Sequence, residues 1–113
     1  MNNIENIIDF THVAITAASD ITGISVEAIV SGNKAQRIVR ARNIAIYIAC
    51  KTFPGTPIDQ IAEVFGMKPN GVWYAIRKCK EIAEINGLFK HQLKLAHRKV
   101  QQNLKEVNDD DPE

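Results

Sequence analysis

Four cations in the first half of the chain, Lys34, Arg37, Arg40 and Arg42, stand in a stretch without carboxylates: no acid occurs from Gly32 to Pro57. A second group follows, in which Lys68, Asn70, Tyr74 and Arg77 recur at helical spacing with Lys78 behind them. Cations so placed hold phosphates, and a carboxamide such as that of Asn70 can pair with adenine in a major groove. Lys34, Arg37 and Arg40 come just after Ser31-Gly32-Asn33, a loop from which long side chains can reach phosphates or a narrow minor groove. Asn70 has a competing use as a helix N-cap. Trp73, at the edge of an apolar stripe, reads as half-buried packing.

The net charge of +1 conceals a segregation that bears on the same chemistry. All 14 basic residues lie between positions 34 and 105, where the acids are Asp59, Glu63, Glu81 and Glu84. Residues 1–33 carry Glu5, Asp9, Asp20 and Glu27 without a cation, and residues 106–113 carry Glu106, Asp109, Asp110, Asp111 and Glu113. Such a pattern is the footprint of a phosphate-binding surface, although solvated helix faces produce it too.

Other chemistries find little support. His12, His91 and His97 do not share a spacing suited to a metal, and no nucleophile stands beside a base, so neither an enzyme nor a metal site is expected. Gly66 and Gly71 have the spacing of a phosphate-binding loop but precede Val72-Trp73 instead of Lys-Ser/Thr, which argues against a bound nucleotide; no cofactor is expected. Cys50 and Cys79 sit among apolar neighbours without a Cys-x-x-Cys spacing and read as reduced core thiols. The longest apolar stretch, Ile44 to Cys50, is too short to span a bilayer. Met1 to Phe10 carries Glu5 and Asp9 where a signal peptide would be positive, so a cytoplasmic protein without a membrane partner is expected. With 113 residues, 45% of them hydrophobic and 24% charged, the chain suits one globular domain.

The elements that must position these residues are helical, because no apolar/polar alternation runs long enough for a sheet. Ile4, Ile7, Ile8, Thr11, Ala14 and Ala18 trace a face of a first helix ending near Thr22-Gly23. Ser25 can cap a short helix, Val26–Val30, closed by Ser31-Gly32-Asn33. A longer helix from about Gln36 to Phe53 is apolar on nearly every side in its second half, as a central buried helix would be. Pro54-Gly55 ends it, and Thr56-Pro57-Ile58-Asp59 starts the next with Thr56 as N-cap, Pro57 at the first helical position and Asp59 closing a capping box.

This fourth helix, Pro57–Phe65, buries Ile58, Ile61, Ala62 and Phe65 and ends at Gly66. The fifth, Asn70–Ile85, is apolar at Val72, Ala75, Ile76, Cys79, Ile82 and Ala83 and stops at Asn86-Gly87. The last, Leu88 to about Val107, carries a seam of Phe89, Leu93, Ala96, Val100, Leu104 and Val107 that either folds back on the core or pairs with a second copy in a homodimer. The division is a single domain over 1–107 and an acidic, disordered tail over 108–113. Helices four and five have the parts of a helix-turn-helix: a small residue at the close crossing (Ala62), a turn residue free to take positive φ (Gly66), and a lock of Ile61, Phe65, Met67 and Val72.

Residues from about Thr11 to Asn86 resemble the C-terminal DNA-binding domain of the bacterial replication initiator DnaA. The likeness rests on Val26-Glu27-Ala28-Ile29-Val30, Arg40-Ala41-Arg42-Asn43-Ile44-Ala45, Ile61-Ala62-Glu63-Val64-Phe65-Gly66, and Val72-Trp73-Tyr74-Ala75 before Arg77-Lys78. It implies an all-α, DnaA C-terminal-domain-like (Trp-repressor-like) fold of about six helices. In that family a loop arginine enters the minor groove and the helix-turn-helix reads the major groove; by resemblance Arg37 or Arg40 takes the loop role. The family's Gly-Arg-Asp-His-Ser/Thr-Thr-Val after Phe-Gly is here Met67-Lys68-Pro69-Asn70-Gly71-Val72, one residue shorter and without the Asp, His and Thr that contact DNA. The resemblance therefore implies the fold more strongly than the target sequence. Function is expected to be sequence-specific binding of double-stranded DNA in replication or transcription regulation. The alternative is a helical protein-interaction module whose last helix and acidic tail carry the activity.

Overall fold

A computed structural model describes the backbone of residues 3–109 and the side chains of residues 10–104. Six helices follow one another: α1 (Asn3–Thr22), α2 (Val26–Val30), α3 (Gln36–Thr52), α4 (Ile58–Val64), α5 (Pro69–Ile85) and α6 (Gly87–Asp109). Helix α3 is the hub. Its Ala41, Ile44, Ala45, Ile46, Ile48 and Ala49 are all buried, and it packs against every other helix. Alternating Ile with Ala around α3 lets neighbouring helices approach closely while the isoleucines fill the space between them.

Helix ends follow local chemistry. Gly23, at φ +78°, closes α1 by donating its N–H to the Ser19 carbonyl at 2.8 Å, a left-handed cap that a side chain would strain. Ser25 caps α2 through its hydroxyl, which accepts from the Ala28 N–H at 3.1 Å. Between α3 and α4 the Thr56 N–H closes a turn onto the Phe53 carbonyl at 3.0 Å. That turn displaces the expected cap: Pro57, not Thr56, occupies the N-cap of α4, and no side chain caps it. The expected capping box at Thr56 and Asp59 does not form, because Thr56 belongs to the turn and lies one residue too early. At the α5–α6 junction Asn86 ends one helix and caps the next, its side-chain oxygen accepting from the Phe89 N–H at 3.0 Å.

Of the two uses expected for the last helix's seam, folding back is the one observed. Phe89, Leu93, Ala96 and Val100 are buried against α1, α3 and α5, with Leu104 partly so. The Val107 side chain lies outside the described residues, as do those of Ile4, Ile7 and Ile8. Helix α6 continues to Asp109, two residues past the expected end, and residues 110–113 of the expected acidic tail lie outside the described backbone. An exposed ion pair, Lys99 Nζ to Asp20 Oδ2 at 3.4 Å, adds a minor tie between α6 and α1. Among the described residues, no helix is long and apolar enough to cross a membrane.

Candidate nucleic-acid interface

The corner between α4 and α5 is built from four residues, Phe65-Gly66-Met67-Lys68. Gly66, at φ +63°, donates its N–H to the Glu63 carbonyl at 3.1 Å, and Met67 donates to the Ala62 carbonyl at 2.9 Å. The pair is a Schellman motif; it satisfies two carbonyls that the end of α4 would otherwise leave open. Lys68 is the N-cap of α5 and Pro69 its first residue, where a missing N–H costs nothing. Gly71 lets the first turn of α5 lie against Met67: a Cβ there would stand 3.1 Å from the Met67 sulfur. Ile61 and Ala62 of α4, Phe65 at its C-cap, and Val72, Ala75 and Cys79 of α5 are buried in the shared core. The Cys79 thiol donates to the Asn43 carbonyl of α3 at 3.4 Å, which sets α5 against the central helix.

With that stripe inward, the opposite side of α5 is fixed outward. Asn70, Trp73, Tyr74 and Arg77 are all exposed and share one face at steps of three and four residues. Lys68 precedes them, also exposed. The first carboxylates on this side of the helix are Glu81 and Glu84, so its first half carries no negative charge. Asn70 is the second residue of α5, and its side chain makes no hydrogen bond among the described residues; Lys68 holds the N-cap position, so of the two expected uses of Asn70 the capping role is absent. The Arg77 guanidinium lies 5.7 Å from the Tyr74 ring centre, an arrangement that holds both side chains on the exposed face.

The other cations lie on the α2–α3 loop and on α3. Lys34, Arg37 and Arg40 are exposed. Arg40 and Lys78 line one groove between α3 and α5, with Phe89 at its end, and the Arg40 guanidinium stands 5.8 Å from the Phe89 ring centre. Arg37 and Arg40 also border a larger groove, of about 470 Å³, whose apolar wall includes Ile24, Ile44 and Leu88.

Arg42 is the exception among the expected contacts. It is 8% exposed, and its Nε donates to the Ile29 carbonyl at 2.7 Å while Nη2 donates to those of Ser31 and Asn33 at 2.6 and 2.9 Å. The expectation that Arg42 reaches a phosphate is corrected: its side chain faces inward and holds the α2–α3 loop. That loop is stiffened further by the Ser31 hydroxyl, which donates to the Ala28 carbonyl at 2.6 Å, and by Asn33 Oδ1, which accepts from the Ala35 N–H at 2.8 Å. Lys34 projects from this anchored frame.

Two features escaped sequence reasoning. Trp73, expected to be half-buried, is 57% exposed, as open as Tyr74 at 53%. Lys51 and Lys80 flank a groove between α3 and α5 beside Tyr47, and Lys51 with Lys90 and Lys94 lines the next one. Burial and the Lys51 charge hold His97 below the usual imidazole range. Apart from charge density, nothing in the sequence distinguished those lysines. The thiols of Cys50 and Cys79 are free, and burial pushes them up to about 11 and about 12.

A short helix, a tight glycine corner and a longer helix with an outward polar face define a helix-turn-helix domain. Residues 12–79 match the family described as the bacterial DnaA protein helix-turn-helix, and the chain belongs to that family. A search of curated proteins gave no match.

Proposed function

We propose that this protein binds double-stranded DNA sequence-specifically, with the first half of α5 in the major groove and the cations of the α2–α3 loop and the first turns of α3 on the flanking backbone. The observation that carries the reading is the outward strip of Asn70, Tyr74 and Arg77, preceded by Lys68 and free of carboxylates until Glu81. Asn70, with its carboxamide unengaged, addresses a base edge, and Tyr74 and Arg77 border it. Lys68 and Lys78 hold phosphates on either side, and Lys34, Arg37 and Arg40 hold the backbone or enter the adjacent minor groove. Arg42 takes no part. The DnaA-type helix-turn-helix supports replication or transcription regulation as the setting, inside the cytoplasm.

Selection of bound duplexes from a random pool tests this directly. Enrichment of a common sequence is expected, with affinity falling steeply as salt rises because each neutralised phosphate releases counterions. A pool that emerges unenriched, or retention on duplex DNA that ignores salt, would overturn the reading. The alternative of a protein-interaction module drew on an apolar seam along the last helix and on the acidic tail; the seam from Phe89 to Val100 lies in the chain's own core.

A further inference from the structure

Trp73 is the chain's only tryptophan, and it stands 57% exposed in the first half of α5. An indole left in water forgoes the burial that most tryptophans obtain, so its place on the surface calls for a reason. The helix cannot roll it inward, because Val72 and Ala75 on either side of it in sequence are fixed in the core. Asn70 is three residues before it and Arg77 four after, which puts the indole on one strip between a carboxamide and a guanidinium. The neighbouring Tyr74 ring has Arg77 over it, whereas no ring or cation is stacked on Trp73 among the described residues.

The base edges of a major groove are almost wholly donors and acceptors. Their one apolar group is the thymine methyl. We propose that Trp73 is a specificity-determining residue that packs against a thymine methyl beside the base addressed by Asn70, so that the protein selects thymine through an apolar contact. This inference rests on the DNA-binding reading above. An exposed Trp-Tyr pair can also anchor a protein partner. The surroundings favour DNA, since Lys68, Arg77 and Lys78 flank the pair and α5 carries no acid before Glu81.

The test uses the duplex recovered by selection and versions in which each thymine in turn is replaced by deoxyuridine, which lacks only the methyl and pairs unchanged. The full-length protein is expected to bind at least one replaced duplex about three- to fivefold more weakly, the effect of one methyl group withdrawn from an apolar contact. Trp73→Ala should bind the two duplexes alike, and Trp73→Phe should recover part of the difference. Fluorescence of the single tryptophan should change on titration with the duplex and stay constant with heparin, a polyanion without bases. Indifference of the wild-type protein to every deoxyuridine, persistence of the discrimination in Trp73→Ala, or fluorescence unmoved by bound duplex would each overturn the proposal. Failure of the DNA-binding reading looks different: no duplex is retained by the wild-type protein or by any variant.

Discussion

The guanidinium of Arg42 serves three carbonyls, one in α2 and two in the α2–α3 loop, whereas that of Arg40, two residues earlier, stands over the Phe89 ring on an exposed side chain. Removing the first leaves the buried Ile29 carbonyl and the partly buried Ser31 and Asn33 carbonyls without that donor. Arg42→Ala is therefore expected to lower stability by about 3 kcal/mol in urea unfolding, and Arg42→Lys to recover little, since one ammonium cannot reproduce a planar fork. Arg40→Ala should leave the unfolding midpoint nearly unchanged and weaken binding to all DNA sequences. Asn70→Ala should alter preference among sequences at similar stability, because its exposed side chain makes no hydrogen bond among the described residues. The thiols add a pH signature. Cys50 and Cys79 have folded values of about 11 and about 12 against an ordinary 9.0, so the unfolded chain ionises first. Their contribution to stability is complete below pH 9.0 and is lost as pH rises through about 11 and about 12, a decline that Cys79→Ala should reduce in alkaline unfolding curves.

At the scale of the element, the α4–α5 corner separates conformational strain from crowding. Gly66 sits at φ +63° with open space where a Cβ would go, while Gly71 is helical with the Met67 sulfur 3.1 Å from that position. A steric argument alone makes Gly71→Ala the worse change. Backbone energetics predicts the reverse: Gly66→Ala forces a left-handed residue and should cost about 1–2 kcal/mol. Gly71→Ala gains helix propensity and needs only a small shift of a flexible thioether, so it should fall within about 0.5 kcal/mol of wild type. Thermal unfolding of the two variants decides the order. Gly66→Ala should weaken DNA binding as well, because the corner sets the projection of α5.

For the whole molecule, the arrangement makes a quantitative statement about salt. If Lys34, Arg37, Arg40, Lys68 and Lys78 each neutralise one phosphate, the logarithm of affinity should fall against the logarithm of salt with a slope of about −4.5. Lys34→Ala should lower its magnitude by about 1, uniformly across sequences. Lys51→Ala, in the groove beside Tyr47, should leave the slope unchanged. The return of α6 onto α1, α3 and α5 joins these surfaces into one body through Phe89, Leu93, Ala96 and Val100, leaving Ile85 and Leu88 exposed at the α5–α6 corner, 87% and 73% respectively.

By itself the sequence determined the all-α class, the six helices, the glycine corner at Gly66 and the polar strip from Asn70 to Arg77. These features are local: helix periodicity, cap chemistry and glycine's freedom at positive φ act over a few residues and are written in them. Only the tertiary structure decided that Arg42 turns inward while Arg40 does not, that Trp73 is open to solvent, and that the last helix closes its own core. Each depends on which neighbour arrives from elsewhere in the chain: the α2–α3 carbonyls for Arg42, the lack of a covering helix among the described residues for Trp73, the faces of α1 and α3 for α6. A cation looks the same in sequence whether phosphates or buried carbonyls await it, and long-range packing makes that choice.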